Sequence, residues 1–510
     1  MALLDSAESL LEHWLTILIA SVILLAVYFH GIAPYRMLRA VYHKGPTPLP
    51  LIGHLVDIMK HKGQIHLQMD EYYKKYGQVY SMLFFGSIPC IVIGDPEMIK
   101  DILVKESASF YDRPQFMKQP EPLNSMLIEV KQENWKRIRS TLTPAFSALK
   151  MKQMVPLMNA CSDNLIKKLA EVADKEESVN IKTFQQRLAM DVIVSAAFGI
   201  EVNSQNNPDD PVLKAAELAI NETTFQLILF GVLSLMPYGL KIMEKVPQLY
   251  MNNLKPLLNI AEEIVRTKRE NTGNSVKKDM LDLMLAASDD LSVPESKKLS
   301  DAEVLAQSFV FLAAGYETSS TTLGFVCHHL ATSPEIQDKL QQEIDNAWPD
   351  ENQMLSYETV HELPYLDMVI SEALRMYPPG FILARSCTKE CIIKGVKIQE
   401  GTMAVIPAYS IHHDPSIYPD PEKFDPERFS AAAKQSRDSY TYMPFGHGPH
   451  NCIGMRFAQV EMKLVLARML KKYRLEAAPD TKIPPEIVIR STLTDMTIGD
   501  VKVLVKSRAK

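Results

Sequence analysis

Polarity along the chain breaks first near the N-terminus. From His13 to Tyr35 there is no Asp, Glu, Lys or Arg, a run of 23 residues whose centre, WLTILIASVILLAVYF from Trp14 to Phe29, is almost wholly apolar. About 20 such residues at a helical rise of ~1.5 Å cross a hydrocarbon core of about 30 Å, so the run predicts a single membrane-spanning helix. A cleavable leader is the competing reading. Against it, the preceding residues are acidic (Asp5, Glu8, Glu12) and no small-x-small cleavage site follows. Arg36, Arg39 and Lys44 come after the run, which places the N-terminus on the lumenal side and the remainder in the cytosol. Trp14 and Tyr28 stand near the two ends, where amphipathic rings suit a membrane interface. Residues 45–53, GPTPLPLIG, follow with alternating prolines; proline fixes φ and disfavours helix before it, so this is a stiff extended strap.

Beyond the strap the period changes. Around residues 80–93 a β-branched and aromatic run reads as a hairpin turning near Gly86-Ser87. From about 95 to 375 the apolar spacing is helical, broken by proline-containing turns. Strand-like runs return at 391–398 (CIIKGVKI), 402–409 (TMAVIPAY) and 501–505 (VKVLV). The pattern predicts a mainly α fold with small β-sheets at its edge. Residues 1–35 form a lumenal tip and anchor, 36–53 a basic, proline-rich linker, and 54–510 one large body.

One helix is set apart by length. Ser300-Asp301-Ala302-Glu303 is a capping box, and apolar periodicity then runs to about Thr332, before Ser333-Pro334. Such a helix is about 48 Å long and must cross the body. At its middle lies AAGYETSS, residues 313–320. Two alanines and a glycine remove bulk, while Glu317, Thr318, Ser319 and Ser320 add polarity to a helix that should be buried. Small residues beside misplaced polar ones predict a flat ligand against the helix, the alternative being an ordinary kink.

Composition narrows the class. The chain has 510 residues, 46% hydrophobic and 23% charged, and a formal net charge of −6 without a long basic run. Fibrous and low-complexity readings fall away, and so does a nucleic-acid partner, which would call for a basic face. Six scattered cysteines do not make a disulfide scaffold, and Cys387 and Cys391 have no second pair for a zinc site. Asn221-Glu222-Thr223 fits a glycosylation acceptor, but on the cytosolic side it meets no transferase.

One cysteine carries chemistry. Residues 445–454 read FGHGPHNCIG, and two glycines and a proline within five residues force an irregular loop ending at a helical run. A helix N-terminus and converging amides favour the thiolate of Cys452, the form that ligates a metal. A lone buried cysteine is usually a small hydrophobe, yet an inert thiol gives several glycines no reason to surround it.

FGHGPHNCIG resembles the haem-binding loop of the cytochromes P450, Phe-x-x-Gly-x-Arg-x-Cys-x-Gly. Glu372 and Arg375 resemble the same family's Glu-x-x-Arg helix, Asp425 to Phe429 its Pro-Glu-Arg-Phe segment, and Ala314 to Thr318 its Ala-Gly-x-Glu-Thr stretch. With the anchor and strap, the resemblance covers essentially the whole chain. ENWKRIRSTLTPAFS (133–147), FLAAGYETSSTTL (311–323) and EIDNAWP (343–349) are similar to family 3, the microsomal drug- and steroid-oxidising enzymes, and to their relative thromboxane synthase.

The resemblance implies haem b with Cys452 as axial ligand, its anionic sulfur favouring O–O cleavage, and Phe445 as its shield. Glu317 and Thr318 correspond to the acid–alcohol pair that delivers protons, with Ala314 beside the haem. Glu372 and Arg375, one turn apart, correspond to the pair that locks Arg428 into a buried charge network. Trp135 and Arg139 match a Trp-x-x-x-Arg propionate contact, and Arg113 and Arg385 two further propionate arginines. His450 departs from the family, which usually has arginine there. Histidine cannot make the same fork, so looser propionate anchoring is expected.

The resemblance further implies a monooxygenase acting on lipophilic steroids, lipids or xenobiotics. O₂ and electrons from NADPH would be supplied through cytochrome P450 reductase, with cytochrome b5 as a further partner, at the endoplasmic reticulum membrane. Residues 223–240 are expected in the roof of the pocket, Phe110, Ile382 and Leu493 in its lining, and Lys136, Arg137, Lys463 and Arg468 on the reductase face. The alternatives are an endoperoxide isomerase of the thromboxane-synthase kind, which has no need of the threonine that Thr318 supplies, and a membrane-anchored haem-binding protein without enzymatic activity.

Overall fold

The protein is described by a computed structural model covering residues 2–33, 35–36, 39, 42, 44–49, 52–84, 88–221, 226, 229–230, 232–233, 239–270, 279–289, 294, 298–489 and 495–508. Its chain resolves into two compact units. One takes in Met1–Met117, Thr224–Val246 and Ala384–Pro407, the other Lys118–Thr223, Pro247–Leu383 and Ala408–Lys510.

The first unit opens with helix α1 (Ala2–Val27), which passes into a π-helical turn at Tyr28–Ile32. Trp14, Ile17, Leu18, Val22, Ile23, Leu24 and Phe29 are all exposed along it. Among the described residues no helix is long and apolar enough to cross a membrane, so the expected span is not shown. The helix begins among Asp5, Glu8 and Glu12, and its charge-free part, His13 to Val27, is only about 22 Å long. The rest of the apolar run falls in the π turn and beyond.

Strands β1 (Val79–Phe84) and β2 (Ile88–Ile93) pair antiparallel from Val79↔Ile93 to Phe84↔Ile88, the expected hairpin. Its turn at Gly86-Ser87 lies outside the described residues. In chain order β3 (Val179–Asn180), a short strand of the second unit, precedes β4 (Leu383–Ser386), β5 (Cys391–Ile393), β6 (Val396–Ile398) and β7 (Met403–Ile406). The larger sheet has the order β1-β2-β7-β4, with β2 and β7 parallel. The run at 391–398 is two strands rather than one. Lys394 (φ 46°) and Gly395 (φ 80°) both take left-handed backbone, which folds β5 back on β6 in a two-residue hairpin.

The second unit is built on helices. Those that bear on the site are α2 (Gln132–Leu142), α3 (Ala148–Ala170), α4 (Ile181–Phe198), α5 (Asp301–Thr332), α6 (Pro364–Met376) and α7 (Met455–Lys472). Strands β8 (Tyr473–Ala477) and β11 (Lys502–Ser507) join β3 in an antiparallel sheet, and β9 (Ile487–Ile489) pairs with β10 (Met496–Ile498). The sequence-predicted capping box is present at the start of α5, with Ser300 and Glu303 each bonding the other's backbone N–H.

The small residues of α5 divide by function. A Cβ on Gly315 would stand 2.8 Å from Ile193 Cδ1 of α4, so that glycine serves helix–helix approach and not, as expected, a ligand. Ala314 and Thr318, one turn apart on a different face, are exposed while the helix after them, Ser319–Ala331, is buried throughout.

Candidate active site

The loop before α7 is shaped by its glycines. Gly446 (φ 70°) and Gly448 (φ 74°) take left-handed backbone that a side chain would strain. The turns they allow bring the Cys452 N–H to the carbonyl of Phe445 at 2.8 Å. Cys452 stands three residues before the first residue of α7 and its thiol is exposed, whereas Cys90, Cys161, Cys327 and Cys387 are buried. A thiol at the opening of a helix, reachable from outside the packed core, suits a metal ligand more than a packing residue.

Helix α2 brings the expected tryptophan and arginine to this loop. The Trp135 ring stacks on His450 with centroids 3.6 Å apart and planes at 21°. Arg139 donates from Nη1 to the Asn451 carbonyl at 3.0 Å and from Nη2 to Asn451 Oδ1 at 2.9 Å. Burial lowers the pKa of that guanidinium, while the charge of Cys452 pulls it back up. Arg139 is thus a cation near the sulfur, braced on the residue before it.

Arg113 and Arg385 belong to the first unit. Arg385 is 6% exposed, with Nη1 donating to the Ala384 carbonyl. Burial, with Arg113 beside it, pushes its pKa down to about 9. Among the described residues no carboxylate forms an ion pair with Arg385. Two neighbouring arginines, one of them buried, suit an anionic group such as a haem propionate.

On α5, Thr318 Oγ1 donates to the Ala314 carbonyl at 2.8 Å. Glu317 is largely buried. Thr497 Oγ1 donates to its Oε1 at 2.7 Å, Gln186 Nε2 to its Oε2 at 3.4 Å, and Lys182 Nζ stands 3.9 Å away. The acid and the alcohol are adjacent in sequence, but each is tied to its own partners.

Helix α6 carries Glu372 and Arg375, the pair that the resemblance implies for a charge network with Arg428. Glu372 and Arg375 are both fully buried. Arg375 donates from Nε and Nη2 to the two carboxylate oxygens at 2.8 and 2.9 Å, and further to the carbonyls of His412 and Pro421 at 2.8 and 2.7 Å. Glu372 also accepts the Asp425 N–H, and Arg428 Nε lies 3.4 Å from it. Desolvation still raises the Glu372 pKa against these opposing partners.

His412 extends this network. Its Nε2 accepts the Met443 N–H at 3.0 Å, so Nδ1 carries the proton and donates to the Arg375 carbonyl at 3.0 Å. Burial holds its pKa down at about 3. Met443 lies two residues before Phe445, so the buried ion pair and the cysteine loop share a neutral imidazole.

Within the second unit, exposed Cys452, exposed Ala314 and Thr318, and Arg139 beside the cysteine loop suit a haem held by a cysteine thiolate, and the motifs in this order are those of the haem-thiolate class. Residues 44–494 match the family described as Cytochrome P450. The chain belongs to that family and is a cytochrome P450 monooxygenase. Its kinship lies with family 3. It is 40% identical over 484 residues to Cytochrome P450 3A41 of Mus musculus, covering 93% of each chain. With Cytochrome P450 3A5 of Homo sapiens it shares 36% over 481 residues, 93% of this chain and 92% of that one. With Cytochrome P450 3A30 of Fundulus heteroclitus it shares 36% over 483 residues, 94% and 96%.

Other expectations fare unevenly. Phe110 and Ile382 are buried; Leu493 and most of 223–240 lie outside the described residues. The four basic residues expected on the reductase face are each in an ion pair. Lys136 meets Glu133, Arg137 meets Glu303, Lys463 meets Asp367 and Arg468 meets Asp163. Sequence reasoning missed His412, Asn451, Lys182 and Thr497. Their partners are 31, 312, 135 and 180 residues distant, so no local pattern marks them.

Proposed function

We propose that this chain is a membrane-anchored monooxygenase of the endoplasmic reticulum that oxidises lipophilic steroids, lipids or xenobiotics. Electrons would come from NADPH through cytochrome P450 reductase, assisted by cytochrome b5. Residues 1–35 serve as the anchor, supported by the exposed apolar side chains of α1, residues 36–53 as the strap, and 54–510 as the catalytic domain. Haem b, when bound, supplies the activation of dioxygen. Cys452 Sγ is its ligand, Phe445 the shield, and Ala314 the small residue beside the ring. Arg113, Trp135, Arg139, Arg385 and His450 serve the propionates. Glu317 takes up protons at its carboxylate, and Thr318 Oγ1 presents one on the side of Ala314; Glu372, Arg375 and Arg428 hold the frame. The exposed thiol of Cys452 carries this proposal, and the Glu317–Thr318 pair favours it over an isomerase.

The test is the visible spectrum of the dithionite-reduced, purified protein under carbon monoxide. A strongly red-shifted Soret band, lost in Cys452→Ala, is expected. A band at the shorter wavelength of histidine ligation, or no haem, would overturn the assignment of Cys452. NADPH consumption with reductase and a lipophilic compound then separates oxygenation from isomerisation and from mere haem binding.

A further inference from the structure

The C-terminal hairpin presses on α5 just beyond its acid. At the crossing Gly324 has no side chain, and a Cβ there would stand 2.9 Å from Ile498 Cγ2. Strand β10 therefore approaches the helix more closely than any other residue would permit. The approach buries Thr497 to 1% exposure. Its hydroxyl oxygen lies 2.7 Å from Glu317 Oε1, 2.7 Å from Thr321 Oγ1 and 3.3 Å from Lys182 Nζ.

The chemistry of these groups fixes the direction of each bond. A carboxylate only accepts and an ammonium only donates, while a hydroxyl has one proton and two lone pairs. Thr497 therefore donates to Glu317 and accepts from Lys182 and from Thr321. Its hydrogen-bonding capacity is fully used. Lys182 also donates to the Ile498 carbonyl at 2.5 Å, so strand β10 holds both the cation and the hydroxyl that face Glu317.

We infer that Thr497 is a positioning residue for Glu317: its hydroxyl fixes the orientation of the carboxylate on α5 and links the acid to the hairpin β9–β10. The inference rests on the reading of Glu317 as the acid that takes up protons. Without the hydroxyl, Glu317 Oε1 loses its 2.7 Å bond to β10, and the geometry of the carboxylate relative to Thr318 is no longer set by that strand. Displacement of β10 is transmitted to the carboxylate by the same bond.

The experiment is a double-mutant cycle of Thr497→Val and Glu317→Ala in the full-length holoenzyme, read by thermal unfolding and by product formed per NADPH consumed with a lipophilic substrate. Thr497→Val is expected to lower Tm by about 2 °C in the parent and by less in Glu317→Ala, because the two share a contact. It should also lower product per NADPH on the order of tenfold, with Thr497→Ser recovering most of both losses. Strictly additive Tm shifts, with Glu317→Ala still crippling oxygenation, would overturn the inference alone. Coupled Tm shifts with product per NADPH untouched by Glu317→Ala would overturn the reading of Glu317 itself. Should Thr497→Val not fold, Thr497→Ala removes the same hydroxyl and is read in the same way.

Discussion

Glu461 is a carboxyl where charge is least welcome. It sits on α7 at 1% exposure, accepts one bond from Ser319 Oγ at 2.9 Å, and has no hydrogen-bond partner at Oε1 among the described residues. Burial pushes its pKa up to about 8. An unfolded glutamate ionises near its ordinary pKa of 4.5, so between that value and about 8 the unfolded chain has released a proton that the folded chain retains. Its contribution to stability is complete at low pH and is lost as pH rises through that window. Glu461→Gln does not titrate, so its stability relative to the parent should rise steadily from pH 5 to pH 8.5, by on the order of 4 kcal/mol. Urea midpoints across that range test this, and a constant difference would show that Glu461 is not held neutral. Nothing in the sequence sets Glu461 apart from any polar residue on a helix. Cys452 was legible because its loop is written in adjacent glycines, whose left-handed backbone is a local property.

Among elements, α5 and α6 show how far periodicity reaches. The capping box placed the start of α5, and the Glu-x-x-Arg spacing placed a carboxylate and a guanidinium one turn apart on α6, since both relations are internal to a helix. What α6 holds could not be read in this way, because the carbonyls of His412 and Pro421 come from segments 37 and 46 residues on. Arg375 needs a planar fork to reach these groups and both oxygens of Glu372. Lysine offers one compact ammonium in its place, leaving a buried carboxylate only partly paired. Arg375→Lys is therefore expected to cost about 3–5 kcal/mol and to sharply reduce the holoprotein recovered. Chemical denaturation and the haem-to-protein ratio measure the two effects.

For the whole molecule the buried imidazoles set the acid limit. Burial lowers His54 and His66 in the first unit to about 4, and His329 and His412 in the second to about 3. In an unfolded chain each protonates near its ordinary value of 6.5. Their contribution is present above 6.5 and is lost as pH falls toward 4 for His54 and His66 and toward 3 for His329 and His412, because the unfolded state binds protons that the folded state refuses. At pH 5 this amounts to roughly 2 kcal/mol for each of the two most buried, His329 and His412. His329 stacks against Phe424 with centroids 4.2 Å apart and planes at 2°, so phenylalanine can take its place. His329→Phe should show a shallower fall in denaturation midpoint between pH 7 and pH 5 than the parent. Parallel profiles would show that His329 is not a source of the acid lability.

The amino-acid order by itself determined what short-range chemistry can encode: the mainly helical body, the limits of the long helix, the glycine-shaped loop around Cys452, and the Glu372–Arg375 turn. Each depends on residues within a few positions of one another, where φ, capping and helical spacing act directly. The tertiary structure alone decided that Gly315 faces Ile193 while Ala314 and Thr318 line the open face, that Arg139 braces Asn451, and that Thr497 holds Glu317. Those relations join residues from far apart in the chain. They arise from which helix faces and strands pack together, and no local periodicity specifies that choice.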